Sequence, residues 1–275
     1  MKGNRVVTDA SLIEVDASID SMVARDEEAD KVEVQKLQER KATEAMPRRK
    51  VTNETHISKS DPDNSLARKE GESRALRYKV HSTIDADSRV ILDSKITTGA
   101  VHDTKIYLER IEYIEKKYSL NIHEAIADRG YGAIDNIKSL NNKGITTYIP
   151  LFSTKEGKKP LELKEVGFIY DEENNNYTCP EGKELFPTKS KDMEHYYSKL
   201  ETCKSCPVSD QCLAKSNKGG YRIIHRNWNQ WLFEQELSMM EKPIFHERLK
   251  EMMRKIEGIF AEAKNMHGLN RAKYR

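Results

Sequence analysis

Residues Leu76–Thr97 read LRYKVHSTIDADSRVILDSKIT, and this stretch decides the fold class. Apolar and polar residues alternate from Leu76 to Asp85, which is the pattern of a half-buried strand. Asp85–Ser88 supplies a turn, and Arg89–Thr97 returns as a second strand. The stretch therefore predicts an antiparallel hairpin.

Helices and further strands are predicted on both sides of this hairpin. Ile111, Ile114 and Tyr118 recur at helical spacing, and β-branched residues fill the segment around Val6. The predicted elements are a strand over 5–18, a helix over 106–118, a strand over 123–128, a helix over 134–142, a strand over 144–150 and a long helix over 243–266. Such alternation is typical of a layered α/β domain.

The composition excludes several classes of protein. Of the 275 residues, 33% are charged and 37% are hydrophobic, and the mean hydropathy is −0.80. No run approaches the roughly 18 apolar residues that a membrane helix needs. The first residues lack the apolar core of an export signal, so we expect a cytoplasmic protein with no membrane partner. The net charge of +2 does not by itself indicate nucleic acid.

Charge runs and cysteines divide the chain into five predicted segments. Acidic residues cluster at 26–28 and basic residues at 48–50, a composition typical of a tether. The segments are 1–19 (first strand of a core domain), 20–65 (charged flexible linker), 66–151 (core domain), 152–217 (cysteine-rich insertion) and 218–275 (remainder of the core with a glutamate-bearing helix).

All four cysteines fall within 34 positions, at Cys179, Cys203, Cys206 and Cys212. The C-x2-C pair is the spacing of a tight turn that directs two thiolates at one ion, and four cysteines form a closed, structural zinc site. The alternatives are scattered structural cysteines or two disulfides, the latter disfavoured in a reducing compartment. His195 or His225 could replace one thiolate.

Three carboxylates are candidates for a metal site, although each also has a plain structural interpretation. Asp9 interrupts an apolar strand, and Asp128 ends a strand before a glycine-containing turn. Carboxylates at strand ends of an α/β sheet face the crevice where ligands bind. Glu257 lies at the edge of the apolar stripe of the last helix. The alternative for Asp9 and for Asp128 is a cap or turn residue, and the alternative for Glu257 is a solvated helix face with ordinary ion pairs.

Six motifs in order resemble the bacterial insertion-sequence transposases of the DDE type. The resemblance covers nearly the whole chain apart from the charged linker. The motifs are VVTD9ASLI, SDPD63 with Arg77-Tyr-Lys-Val-His81, TTGAVHD103, ADRGYG132, Cys179-Pro-x-Gly182 with Cys203-x2-Cys206-Pro207, and Ile256-Glu257-Gly-x-Phe260-x3-Lys264.

The resemblance implies a ribonuclease H-like mixed sheet flanked by helices, with a small cysteine-rich inserted module. It also implies that Asp9, Asp128 and Glu257 hold two Mg²⁺ (or Mn²⁺) ions. Lys264 would contact transposon-end DNA, and the remaining phosphate contacts would come from Arg254, Lys79 and His81. The implied partner is double-stranded DNA, on which the protein would assemble as a homodimer.

The chain departs from the family pattern in two respects. The family has a tyrosine and an arginine upstream of the glutamate, where this chain has Lys250 and Met253, with Arg254 one position later. Family members usually carry helical regions on both sides of the core, whereas eight residues precede Asp9 and eleven follow Lys264.

The sequence is therefore compatible with three functions. The first is a transposase catalytic core that cleaves transposon ends and transfers strands. The second is a truncated, non-catalytic, zinc-stabilised DNA-binding or interaction remnant. The third is a nuclease of the same fold that acts without strand transfer.

Overall fold

The computed structural model describes residues 3–25, 51–69, 71–189, 193–213 and 220–272. The chain forms two compact units. The first consists of residues 1–150 together with 246–275, and the second is Leu151–Phe245.

The first unit is built on a mixed sheet of six strands. The order is β4-β5-β1-β7-β8, and β6 pairs with β5 beyond the end of β4. β1 is antiparallel to β5 and parallel to β7, and β7 is parallel to β8. The strands are β1 (Arg5–Glu14), β4 (Ser65–Arg68), β5 (Arg74–Asp85), β6 (Ile91–Thr98), β7 (Glu124–Ala127) and β8 (Thr146–Tyr148). The predicted hairpin and the predicted mixed α/β class are confirmed.

Two helices pack on one face of this sheet. Helix α1 (Tyr107–Tyr118) and helix α2 (Ile134–Asn142) present their apolar stripes to the sheet. They share one buried cluster with Val6 of β1 and with Ala10, which is partly buried. Because successive side chains of a strand point to opposite faces, Asp9 faces away from this cluster.

The last helix is continuous in sequence but not uniform in geometry. It consists of α7 (Pro243–Met252), a π-helical segment (Met253–Glu257) and α8 (Gly258–Met266). The π-helical segment, which ends at Glu257, packs against β1. π-Helical turns occur frequently at functional sites.

Residues 20–65 were predicted to form a flexible linker, but the structure has strands near both ends of this range. β2 (Met22–Ala24) pairs with β3 (His56–Ser58), and Met22 and Val51 pack against a buried cluster of Val15, Leu66 and Leu76. These apolar side chains bury enough surface to order the two ends. The charge runs at 26–28 and 48–50, and most of the linker, lie outside the described residues.

The second unit contains a five-stranded antiparallel sheet with the order β13-β12-β11-β10-β9. Its core is a cluster of Phe168, Tyr177, Leu185, Tyr196 and Ile224. The strands are β9 (Ile169–Asp171), β10 (Asn176–Thr178), β11 (Glu184–Lys189), β12 (Met193–Tyr197) and β13 (Ile223–Asn227). The helices are α3 (Lys155–Glu165), α4 (Leu200–Lys204), α5 (Ser209–Cys212) and α6 (Gln230–Met240).

This unit extends beyond residue 217, where the predicted insertion ends. The reason is that β13 pairs with β12 and completes the sheet, and that α6 packs against α3. The short apolar run at Ile223 and Ile224 thus belongs to the second unit.

Candidate active site

Asp9 and Asp128 are brought together by the register of two parallel strands. Thr8 of β1 pairs with Ala127 of β7, so the next position on each strand is an aspartate. Neighbouring strands lie about 4.8 Å apart. The two residues are therefore adjacent in space although they are far apart in the sequence.

Glu257 approaches the same place because its helix is attached to β1 at both ends. Arg5, at the start of β1, forms an ion pair with Glu251. Glu14, at the end of β1, donates its N–H to the carbonyl of Asn270 at 3.0 Å and accepts from the N–H of Ala272 at 2.8 Å. The helix consequently runs alongside the strand, and Glu257 falls within electrostatic range of Asp9.

The electrostatics of Asp9 reflect this clustering. Burial, together with the negative charges of Asp128, Asp103 and Glu257, raises the pKa of its carboxyl group to about 7, against the opposing effect of a hydrogen bond from the Ala10 N–H. Burial, followed by the charge of Asp103, also raises the pKa of Asp128. Carboxylates that repel one another in a partly buried place form a region that attracts cations.

Asp103 is a fourth carboxylate of the cluster, and it is not among the metal-binding residues predicted from the sequence. A Cβ atom on Gly130 would lie 2.9 Å from Asp103 Oδ2 and 3.0 Å from Asp128 Oδ1, so both carboxylates border this glycine. The Gly130 N–H donates to Asp128 Oδ1 at 2.9 Å. The sequence signal that could have identified Asp103 is the TTGAVHD103 motif, in which it is the only acidic residue.

Lys79 and His81 contact this cluster from β5, the strand on the other side of β1. The Lys79 ammonium lies 2.9 Å from Asp103 Oδ1 and donates to the carbonyl of Val101 at 2.9 Å. His81 is only 3% exposed and shares hydrogen bonds with Thr97 and with the hydroxyl of Tyr131.

The resemblance implies a contact between His81 and a DNA phosphate, but this side chain is buried and therefore poorly placed for such a contact. Burial lowers the pKa of its imidazole to about 4, so the ring is neutral at physiological pH. A buried neutral imidazole neutralises no phosphate, and we assign His81 to the support of the site. Lys79 lies at the border of the cluster, where it is paired with Asp103.

The other two predicted DNA contacts lie on the last helix. Arg254 is exposed, and its guanidinium donates to the carbonyl of Lys250 at 3.4 Å. Lys264 is partly buried, and burial together with the charge of Lys69 lowers its pKa. The same ammonium lies within electrostatic range of Asp9.

The four cysteines of the second unit are free thiols that line a single cavity. The pKa of Cys212 is raised by burial and by the proximity of Cys203, Cys179 and Cys206. Cys179 and Gly182 close a tight turn, in which the Gly182 N–H donates to the Cys179 carbonyl at 2.8 Å. His195 and His225 pair with each other across β12 and β13, with their Nδ1 atoms 2.6 Å apart.

Neither cluster has the geometry of a finished metal site. Within the described ranges, no group of three or more His, Cys, Asp or Glu side chains is arranged so that it could hold an ion. The carboxylate cluster nevertheless offers hard oxygen donors, the type that Mg²⁺ and Mn²⁺ prefer, and the thiols suit zinc. The donor chemistry therefore fits both metals.

In the same described part of the chain, no helix is long and apolar enough to cross a membrane.

Comparison with known proteins provides one match. The family model described as a transposase DDE domain matches residues 45–275. The matched span contains Asp128 and Glu257 and begins after Asp9. No curated protein and no solved structure matches the chain.

Proposed function

The chain belongs to the transposase DDE domain family, and on this premise we propose that it cleaves DNA at transposon ends and joins them to target DNA. The reaction is a phosphoryl transfer that depends on Mg²⁺ or Mn²⁺, on a ribonuclease H-like core. The partner is double-stranded DNA, on which two copies assemble. The observation that carries the proposal is the β1–β7 register, which aligns Asp9 with Asp128 beside the helix of Glu257.

In this proposal Asp9, Asp128 and Glu257 would hold the divalent ions. When bound, such ions neutralise charge on the attacking and the leaving oxygen of an in-line displacement. The chain's own contribution is to concentrate negative charge on one side of β1 and to supply cations at its border. Lys264, Arg254 and Lys79 bind DNA phosphates, and this contact orients the scissile bond over the carboxylates.

The proposed order of steps needs no covalent protein–DNA intermediate. Water first cleaves at the transposon end and releases a 3′-hydroxyl, and that hydroxyl then attacks target DNA in the same site. Each step exchanges one P–O bond for another, so no serine or tyrosine nucleophile is required.

Isosteric variants test the proposal. D9N, D128N and E257Q should each lower Mg²⁺-dependent cleavage of a duplex carrying the inverted repeat that flanks the gene, by about a thousandfold or more. Duplex affinity should stay within about threefold, because phosphate contacts dominate it. The matched control is E262Q, since Glu262 is an exposed glutamate on the same helix.

The wild-type result distinguishes the three candidate functions. Cleavage followed by strand transfer supports the transposase. Cleavage without transfer indicates a nuclease of the same fold. If the wild-type protein binds DNA but cleaves nothing with either metal, the protein is a non-catalytic remnant.

We also propose that Cys179, Cys203, Cys206 and Cys212 bind one structural zinc ion. The support is that the four free thiols line one cavity and that two of them stand at C-x2-C spacing. Four thiolate ligands leave no open position, so the role would be stabilisation of the second unit.

A further inference from the structure

Two cations bind one carboxylate at the hairpin between β4 and β5, and a third lies within electrostatic range of it. Glu72 Oε1 accepts from the Lys69 ammonium at 2.6 Å, and its Oε2 accepts from the guanidinium of Arg77. Lys264, on the last helix, lies within electrostatic range of both Lys69 and Glu72. We call Lys69, Arg77 and Lys264 the cation cluster.

Glu72 accepts only some of the hydrogen bonds that the buried Arg77 side chain can donate. The Arg77 side chain is 4% exposed, and its Nη2 bonds to Glu72. Its Nη1 atom is buried and has no hydrogen-bond partner among the described residues. A guanidinium presents its donors as a fork that fits the oxygens of a phosphate, and a buried charged donor without a partner costs free energy. Arg77 is therefore only half satisfied by Glu72.

Lys264 connects the cation cluster to the proposed active site, because it lies within electrostatic range of Asp9 as well as of Glu72. Arg77 lies further away: it pairs with Glu14 of β1, whereas Asp9 pairs with Ser82, five residues or about 17 Å along β5. A DNA duplex whose scissile phosphate lies at Asp9 would therefore reach the cluster with a phosphate a few nucleotides away.

Glu72 is held on the surface rather than in the core. It follows a tight turn in which its N–H donates to the Lys69 carbonyl at 3.0 Å. Its side chain is 40% exposed, and a Cβ on Gly71 in the same turn would meet nothing within 4 Å. The carboxylate can therefore leave the cluster without disturbing the packing of the sheet.

We propose that the cation cluster is a binding site for a DNA backbone phosphate and that Glu72 occupies it in the DNA-free protein. This inference rests on the proposed function, since it concerns DNA bound for phosphoryl transfer. The incoming phosphate displaces the carboxylate and takes over its contacts with Lys69 and Arg77. Glu72 thereby acts as a built-in competitor that lowers affinity for DNA in general.

Duplex binding by the full-length protein tests the competition directly. The probe is a fluorescein-labelled 30-base-pair duplex of arbitrary sequence, titrated by anisotropy between about 50 and 200 mM salt in EDTA. E72Q should bind about three- to tenfold more tightly than wild type at low salt, and K69Q should bind about three- to tenfold more weakly. The salt slope of K69Q should fall by about one, the value for one lost phosphate contact.

The matched control for net charge is E109Q. Glu109 also pairs with an arginine, Arg110, and lies on α1, the helix on the face of β1 away from Asp9. E109Q removes the same charge at a position away from the cation cluster. It should therefore raise the affinity for duplex DNA far less than E72Q does. Arg77 is left unchanged because replacing this buried side chain would also destabilise the fold.

Each outcome decides between the alternatives. If E72Q binds no more tightly than E109Q, or if wild type and E72Q both bind no duplex, the inference is overturned. If E72Q gains affinity but neither protein cleaves DNA with Mg²⁺ or Mn²⁺, the phosphate site stands and the proposed function fails. If cleavage is intact and E72Q gains nothing, only the phosphate site fails.

Discussion

The imidazole of His81 lies in a closed polar environment between Thr97, Tyr131 and Asp103. The folded protein disfavours its charged form, chiefly through burial, and the pKa falls to about 4 from the ordinary value of 6.5. Asp103 opposes this shift, whereas Lys79 adds to it. Below pH 6.5 the unfolded chain takes up a proton that the folded chain does not accept until about pH 4.

The contribution of His81 to stability should therefore fall as the pH decreases from 6.5 through 4, while the raised pKa of Asp9 acts in the opposite direction over the same range. The His81 contribution is up to about 3 kcal/mol, from the size of the pKa shift. H81Q removes this titration, so between pH 7 and pH 4 its free energy of unfolding in urea should fall less, or rise more, than that of wild type. The exposed His123 provides the control H123Q, and equal pH dependence in wild type and H81Q would contradict the assignment.

At the scale of elements, a network of ion pairs attaches the last helix to the two strands that carry the aspartates. Arg5 of β1 pairs with Glu124 of β7 at 3.0 Å and also with Glu251 of α7. Glu124 accepts from Arg248 at 2.9 Å, and Glu251 pairs with Lys255 at 2.6 Å. Because Glu257 follows Lys255 by two residues, the network sets the position of its carboxylate beside β1.

Loss of Glu251 should weaken both stability and the site. E251Q leaves partly buried cations without their partner, which costs about 2–3 kcal/mol in the free energy of unfolding. Cleavage should fall at least tenfold while duplex affinity is kept, because Glu257 loses its anchor. Glu247 is exposed on the same helix, and E247Q serves as the control. An E251Q protein that is destabilised but cleaves DNA at the wild-type rate would show that the network has no positioning role.

At the scale of the whole molecule, the division into two units predicts that metal loss has a local effect. If the four thiols hold zinc, protein purified in reducing buffer should contain about one zinc per chain. Removal of zinc should then raise amide exchange in β9–β13, whereas β1, β5 and β7 stay protected. The reason is that each unit has its own sheet and its own buried cluster.

Variants separate this effect from general destabilisation. C203S/C206S should lose the zinc and show the same exchange pattern without a chelator, and S205A in the same turn should retain both zinc and protection. A zinc content near zero in freshly reduced wild-type protein would exclude the metal. Uniform loss of protection in both units would contradict their independence.

Local patterns in the sequence were enough to predict several elements of the fold and the family. Alternation predicted the hairpin of β5 and β6, helical spacing predicted α1 and α2, and the ordered motifs predicted the transposase family. These features depend on neighbours within a few residues or on short motifs, so they can be read from the chain itself. The proposed roles of Asp9, Asp128 and Glu257 also came from the motifs and remain predictions.

Only the tertiary structure decided which charges meet. The parallel register of β1 and β7 aligns Asp9 with Asp128, and the 3-10 helical turn that begins at Asp103 adds a further carboxylate. Burial made His81 neutral, and the hairpin placed Glu72 between Lys69 and Arg77. The charge and the partners of an ionisable group depend on its desolvation and on residues distant in sequence, and no local pattern encodes either quantity.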